Sequence, residues 1–176
     1  MRMTTITIVL MVLIVSVCAC KQTPGPATKG AATPQSGDVP AALPNNAFKA
    51  QITIVDPPPK LRVGQKETIH VRVKNNSDVM WWSRGARVNT RPDNKFYLAA
   101  GNRWLNADGS LVTNMDGRYG IPKDLAPGEE TDTPLGITAP KEPGDYILEI
   151  DVIQEQVAWF SEKGSPTAKT KITVVK

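Results

Sequence analysis

From residue 47 onward, hydrophobic and polar residues alternate along several short segments of the chain. Ile69, Val71 and Val73 alternate with polar residues, and Ile52 and Ile54 do so nearer the amino terminus. A period of two places the apolar side chains on one face of a strand, which is the pattern of a strand with one buried face and one solvated face. Since no segment shows the spacing of an amphipathic helix, the pattern predicts an all-β domain.

About seven such segments are separated by turns rich in Gly, Pro, Asn and Asp. The predicted strands lie at residues 51–54, 69–74, 96–98, 103–105, 131–138, 146–153 and 168–175. Short strands in this number predict an immunoglobulin-like β-sandwich, with an up-and-down barrel as the alternative. Tyr146 begins a strand just after a Pro-Gly turn, where its hydroxyl could bond back to the preceding connection as a tyrosine corner, which favours the sandwich.

The first 20 residues carry the parts of a secretory signal. Arg2 supplies a positive charge, residues 4–17 form an apolar run, and Ala19 is the small residue before a cleavage point. The run is shorter than the roughly 20 residues that cross a bilayer. The four residues that end at Cys20 resemble a lipobox, which implies a lipid on Cys20 and a signal peptide over residues 1–19. An ordinary cleavage site before an unmodified cysteine is the alternative.

Residues 20–46 are predicted to form a lipid-bearing cysteine and a tether, because they are rich in Pro, Gly, Ala and Thr and contain no aromatic residue. Residues 47–176 have the length of one domain. The protein is therefore expected to be exported and held on a membrane by lipid. In a Gram-negative host, Lys21 in place of an acidic residue implies the outer membrane.

The charge of the mature chain is nearly balanced. Without the leader it has 20 basic and 17 acidic side chains, and no block of Lys and Arg interrupts the sequence. This dispersed excess predicts no binding to nucleic acid. Since Cys18 leaves with the signal and Cys20 carries lipid, no disulfide is expected in the head. The scattered loop aspartates lack calcium-loop spacing, so we predict no metal and no cofactor.

Few residues of the head suit catalysis. His70, the one histidine, lies in a predicted strand where it is expected to be solvated. Asp151 and Glu155 are the best pair of carboxylates for hydrolytic chemistry. Ion pairs with Arg103 or Arg118 would explain both acids equally well, and we expect that structural role. The domain is thus predicted not to be an enzyme.

Aromatic residues are the better candidates for a binding site. Trp81 and Trp82 are adjacent, as are Trp159 and Phe160, and neighbours in a strand point to opposite faces. One ring of each pair is therefore expected to face outward, with Trp82 and Phe160 the stronger outward candidates. In the alternative, all these rings close the core of the sandwich. The candidate binding residues are Trp82, Trp104, Arg118, Glu155, Trp159 and Phe160.

Several motifs also resemble a known bacterial module. They are residues 73–77 with Trp81, 103–109, 118–128, 143–146 and 151–160. Together they resemble the immunoglobulin-like domain appended to bacterial cell-envelope glycosyltransferases and related sugar-modifying proteins. The resemblance covers residues 66–175 and implies an accessory, non-catalytic part. We therefore expect a membrane-anchored binding or assembly module whose partner is an envelope protein, or alternatively a glycan.

Overall fold

The computed structural model describes residues 40–87 and 91–176, except for the side chains of residues 114 and 115. These residues form nine strands and two short 3₁₀ turns, Asn45–Ala47 and Ser161–Lys163. The strands are β1 (Ala50–Val55), β2 (Lys60–Arg62), β3 (Lys66–Asn75), β4 (Leu98–Asn106), β5 (Leu111–Gly120), β6 (Glu130–Thr138), β7 (Gly144–Gln154), β8 (Ala158–Trp159) and β9 (Ala168–Val175). No helix among them is long and apolar enough to span a bilayer.

The strands form two sheets that face each other. The smaller sheet has the antiparallel order β1-β3-β6, and the larger has the order β2-β9-β7-β4-β5 with β8 paired to β7. Alternate residues of both sheets, such as Val71, Leu135, Leu148 and Ile150, are buried between them. The predicted all-β sandwich is therefore confirmed, and the barrel alternative is wrong.

The strand predictions were wrong mainly in the large sheet. Segment 103–105 lies in β4, whose middle residues are small, but of segment 96–98 only Leu98 belongs to that strand. Strand β5 was not predicted, because its pairing with β4 shifts between Gly101 and Arg103. An irregularity of this kind places extra residues opposite the partner strand and breaks the period of two. The short strands β2 and β8 also lacked a signal, since three and two residues cannot show alternation.

The tyrosine corner is present. The hydroxyl of Tyr146 donates a hydrogen bond to the carbonyl of Glu142, at 3.0 Å, across the turn that precedes β7. The ring of Tyr146 also meets Trp104 edge to face, with centroids 6.3 Å apart. This contact buries both rings in the core at one end of the sandwich.

The opposite end of the sandwich is where the chain enters the domain, and we call it the entry end. It comprises residues 40–49, 76–87, 91–97, 121–129 and 155–167. The rings of Phe48, Trp81 and Phe160 fill it in edge-to-face contact, and the Trp81 indole donates to the carbonyl of Ala47, at 2.9 Å. Aromatic side chains therefore seal the core at this end.

The ordered domain begins earlier than we predicted. Leu43 is buried in the core, and its amide donates to the side chain of Gln154, at 2.8 Å. The amide of Ala41 donates to the carbonyl of Gly85, at 3.2 Å. Residues 41–46, assigned above to the tether, are thus part of the domain, because Leu43 buries an apolar side chain there. Cys20, the signal segment and most of the predicted tether lie outside the described residues.

Candidate functional site

The outer face of the large sheet carries a cluster of charged residues. Gly101 of β4 pairs with Asp151 of β7, and Arg103 pairs with Glu149 in the same ladder. These positions alternate with core residues, so their side chains point away from the smaller sheet. An outward position usually leaves a side chain in water. Both Glu149 and Asp151 are nevertheless buried.

The burial comes from the segment 155–167, which folds back over the sheet and which we call the cover. The cover is fixed by backbone hydrogen bonds, among them that from Phe160 to the carbonyl of Val152, at 2.8 Å. Phe160 inserts into the core, and the preceding residue, Trp159, lies over the outer face. One outer face of the sandwich is thus partly closed to solvent.

Trp159 rests on a glycine and lies between two arginines. A Cβ atom on Gly101 would lie 2.8 Å from Cη2 of Trp159, so the position has no room for a larger side chain. The guanidinium carbons of Arg103 and Arg118 lie over the Trp159 ring, 4.6 and 5.2 Å from its centroid. Cations at such distances are attracted to the negative face of an indole. The three side chains therefore hold one another in place.

Asp151 is the most deeply buried charged group of this cluster. Burial raises its pKa above the ordinary value, although hydrogen bonds from Ser161 and the Val152 amide, and the charge of Arg103, oppose the rise. The Val152 amide lies 2.8 Å from the carboxylate, the Ser161 amide 3.3 Å, and Arg103 3.4 Å. The carboxylate thus links the cover to the sheet.

The other acids at this face are also bound to neighbours. Glu149 accepts a hydrogen bond from the Thr167 hydroxyl, at 2.9 Å, and lies 3.2 Å from the Lys169 ammonium. Glu155 and Arg118 form an ion pair at 2.6 Å. The expected ion pairs of Asp151 and Glu155 with arginine are therefore present. Among the described residues, no group of three or more His, Cys, Asp or Glu side chains could hold a metal ion.

Two of the predicted binding residues are placed elsewhere. Trp104 and Phe160 are buried in the core, so neither ring can receive a ligand. The prediction that one ring of each adjacent pair faces outward holds, since Trp81 is buried and Trp82 is partly exposed. For the second pair the assignment was reversed. Trp159 is the partly exposed ring, because the cover turns Phe160 into the gap between the sheets.

Trp82 lies apart from this cluster, at the entry end. Its indole N–H is shielded from solvent and has no hydrogen-bond partner among the described residues. The guanidinium carbon of Arg87 lies over the ring, 5.8 Å from its centroid. Of the predicted site residues, the structure therefore brings together Arg118, Glu155 and Trp159, and leaves Trp82 apart.

A cleft of about 450 Å³ opens beside Trp159 on the outer face. Leu105 and Leu111 form its apolar wall, and Arg103, Trp159 and Lys169 line the remainder with Gly109, Glu149 and Glu162. Neither leucine is among the binding residues predicted from the sequence. Leu111 and Val112 follow the turn at Gly109 and stand side by side, which is the signal of a strand start that we did not use.

Strand β5 beside this cleft carries more exposed large hydrophobic residues than any other described strand. Among described residues, five large hydrophobic side chains are exposed, and three of them lie on β5: Leu111 at 55 %, Tyr119 at 47 % and Val112 at 38 %. β5 is also the last strand of the large sheet. Exposed apolar residues that cluster on one element mark interaction surfaces more often than scattered ones do.

The middle of β5 is attached to the smaller sheet. The Asp116 carboxylate accepts a hydrogen bond from the amide of Thr138, on β6. A Cβ atom on Gly117 would collide with the carbonyl oxygen of Gly136, so the two strands touch backbone to backbone. This attachment hinders a foreign strand from pairing along the whole of β5. A partner would instead contact its exposed side chains.

No model of a known protein family matches the chain, and no curated protein resembles it significantly. Among solved structures, a CARDB domain from Pyrococcus furiosus is 17 % identical, with a TM-score of 0.40, and the match covers 72 % of this chain and 93 % of that one. A β-glucosidase from Listeria innocua is 13 % identical, with a TM-score of 0.43, and the match covers 73 % of this chain but 16 % of the enzyme. Likenesses at this level carry no information on function.

Proposed function

We propose that this chain is a lipid-anchored, non-catalytic module of the cell envelope that binds another protein. Leu111, Val112 and Tyr119 are exposed along the edge strand β5, and this apolar row along the sheet edge carries the proposal. Leu111 pairs with Leu105 and Tyr119 with Ala100, so the row presents both faces of the edge. Residues 105 to 100 of β4 pair with residues 111 to 119 of β5, so the row extends over about 17 Å at roughly 3.4 Å per residue of β4. A row of that length is short enough to lie inside one partner's side of a standard protein interface, which covers roughly 800 Å².

The cleft beside Leu111 adds a place for a partner side chain. Its apolar wall, Leu105 and Leu111, faces a rim of charged groups that includes Lys169 and Glu162. Interfaces between proteins commonly combine an apolar centre with a polar rim. The combination of row and cleft is the feature of this surface that best matches a protein partner.

A glycan is less well supported than a protein. Sugar rings stack on open aromatic faces, whereas the Trp159 ring carries two guanidinium groups. Trp104 and Phe160 are buried, and the indole N–H of Trp82 is shielded. Glycan binding would therefore require side chains of the site to move first.

The hydrogen bonds and ion pairs of Asp151 and Glu155 support a non-catalytic role. Asp151 accepts two backbone hydrogen bonds and pairs with Arg103, and Glu155 pairs with Arg118. Both oxygens of Asp151 and one oxygen of Glu155 are therefore engaged in contacts within the domain, whereas a hydrolase needs its two carboxyl groups to face the substrate.

Site-specific photo-crosslinking in intact cells tests the protein partner. A benzoylphenylalanine placed at Tyr119 should give a discrete covalent adduct. The Leu111→Lys change, at the other end of the same edge strand, should weaken it by charging a second contact of the proposed partner. Benzoylphenylalanine at His70, exposed on the outer face of the smaller sheet, is the matched control. Equal adducts from both positions, or no adduct from Tyr119, would contradict the proposal, as would saturable binding of a glycan.

The anchor is tested separately, at Cys20. Mass spectrometry of the mature amino terminus should show a cysteine that carries diacylglycerol, because the sequence before it resembles a lipobox. The Cys20→Ala variant should lose the lipid and leave the membrane fraction. An unmodified amino-terminal cysteine in the native protein would overturn the anchor while leaving the crosslinking result untouched.

A further inference from the structure

The excess positive charge of the mature chain is concentrated in one loop. Residues 83–98 contain four basic side chains and one acidic side chain. The rest of the mature chain then has 16 of each sign, so this loop accounts for the whole excess. Along the sequence the excess is dispersed, because the basic residues stand three or four positions apart and form no run.

The two ends of this loop are joined. The amide of Leu98 donates to the carbonyl of Ser83, at 2.8 Å, so the two ends of the segment meet. A Cβ atom on Gly85 would collide with Phe96, so these two residues pack closely near the ends of the segment. Phe96 also has a φ of 72°, which is rare for a bulky residue and is held by this packing. We call the described residues of this segment, 83–87 and 91–98, the basic loop.

Its charged groups lie at the surface. Arg84, Arg87 and Arg91 are exposed, and Lys95 is half-buried. Arg91 forms a two-bonded pair with Asp93, at 2.9 and 3.1 Å, which neutralises one positive charge locally. The Lys95 ammonium lies over the Phe96 ring, 5.1 Å from its centroid. The guanidinium of Arg87 lies over the Trp82 ring in the same way.

A buried glutamine connects the basic loop to the incoming chain. The Gln154 side chain donates to the carbonyls of Ala41 and Phe96, each at 3.1 Å, and accepts from the amide of Leu43. The Ala41 amide in turn donates to Gly85 of the loop. The base of the tether and the basic loop are therefore held together as one unit.

This connection limits how far the basic loop can lie from the proposed lipid. Cys20 precedes Ala41 by 21 residues, which span at most about 75 Å even when fully extended. Two acyl chains already hold a protein stably on a membrane, so a basic patch that meets the same membrane would set the orientation of the domain rather than hold it there. Each basic side chain near an anionic membrane strengthens binding about fivefold. The position and sign of the loop suit that role.

We propose that the basic loop binds the anionic phospholipid surface of the membrane that holds the lipid, and so orients the entry end towards the bilayer. The Leu111 end of β5 and the cleft beside it then lie away from the membrane contact. This inference rests on the proposed lipid anchor, but its test does not depend on lipidation in the cell.

The test uses residues 20–176, which contain the whole hydrophobic core and Cys20 as their one cysteine. The thiol is coupled to a maleimide lipid in vesicles of phosphatidylcholine, with or without 30 mol % phosphatidylglycerol. Hydrogen exchange of segment 83–98 should slow about tenfold or more only in vesicles that contain phosphatidylglycerol. The protection should fade as salt is raised, since the attraction is screened.

Charge reversal at the loop supplies the matched comparison. R87E with K95E should abolish the protection, whereas K60E with K141E, two exposed lysines at the other end of the sandwich, changes the net charge equally and should preserve it. R87K with K95R should also preserve it. Circular dichroism verifies that each variant is folded.

Three outcomes would overturn the proposal. Equal loss in both charge-reversed variants would attribute the effect to net charge alone. Equal protection in the two vesicle types would show that anionic lipid is not recognised. Protection by soluble polyglutamate but not by phosphatidylglycerol would assign the loop to an acidic protein partner. None of these results bears on whether the cell attaches lipid to Cys20, which the mass measurement decides.

Discussion

Each sheet of the sandwich carries an arginine–aspartate pair on its outer face, and the two pairs differ in burial. Arg72 and Asp132 lie 2.8 Å apart on the smaller sheet, where 52 % of the Asp132 side chain is exposed. Arg103 and Asp151 lie 3.4 Å apart on the larger sheet, where 2 % of the Asp151 side chain is exposed. The same chemistry is therefore found in water on one face and beneath the cover on the other.

The difference appears in the pKa values of the two acids. The hydrogen bond from Arg72, with its charge, lowers the pKa of Asp132, whereas burial raises the pKa of Asp151 in spite of Arg103. A salt bridge in water holds its acid ionised, but removal of water penalises the charged form. Both acids are paired with arginine, so the opposite pKa shifts come from the cover, which buries Asp151, whereas Asp132 is exposed.

The largest expected effect comes from removal of the buried acid. Asp151→Ala leaves Arg103 without this partner and frees the amides of Val152 and Ser161 beneath the cover. Loss of one member of a buried pair costs about 3 kcal/mol. Urea denaturation should therefore show a free energy of unfolding reduced by roughly that amount.

Asp132→Ala is the matched variant on the smaller sheet. Because this pair lies in water, its removal should leave the unfolding midpoint unchanged within error. Similar losses in the two variants would show that the cover does not distinguish the faces.

A smaller effect is expected from a methyl group placed under the cover. Gly101→Ala introduces a Cβ atom 2.8 Å from Trp159 Cη2, so the indole must shift from its place between Arg103 and Arg118. Overpacking of this kind costs about 1 to 3 kcal/mol. The free energy of unfolding and the indole fluorescence should change together.

Gly120→Ala is the control for that change, since a Cβ atom there meets its nearest neighbour, the carbonyl of Leu98, at 3.9 Å. It should leave the fluorescence as it is. If Gly101→Ala behaves like Gly120→Ala, Trp159 does not rest on the sheet as described.

The smallest effect is a difference in how stability depends on pH. The folded pKa of Asp151 is raised, so the stability that this group contributes falls as pH rises from about 4 through the folded value. Relative to the native protein, Asp151→Asn should therefore gain stability across that range.

Asp132 should show the opposite dependence. Its folded pKa is lowered, so its contribution is complete above about 4 and is lost as pH falls through the folded value. Asp132→Asn should thus lose stability, relative to the native protein, as pH rises towards about 4. Denaturation curves between pH 2 and about 7 measure both, and slopes of the same sign would contradict the comparison.

The sequence predicted the sandwich because β1, β3, β6, β7 and β9 show regular alternation. It also predicted that arginines would neutralise Asp151 and Glu155. It could not predict which of Trp159 and Phe160 faces outward, since that depends on how the cover folds back on β7. Strand β5 was missed because its irregular pairing removes the period of two, and with it went the apolar row on which the proposed function rests.

Residues distant in sequence set the rest of the site. Nothing in the sequence near Gly101 indicates that its lack of a side chain makes room for Trp159, which is 58 positions later. The basic loop was overlooked for a related reason. Its cations are spaced along the chain, and the bond between Leu98 and Ser83 that gathers them into one loop is a tertiary contact.

The most direct test of the covered face is an NMR titration of Asp132 and Asp151. The side-chain carboxyl carbons are followed from pH 2 to about 8, and the two Asp→Asn variants identify their signals. We predict that Asp151 titrates above the ordinary value of about 3.9 and Asp132 below it. An Asp151 that titrates at or below Asp132 would show that its carboxylate lies in water and that the cover does not close this face.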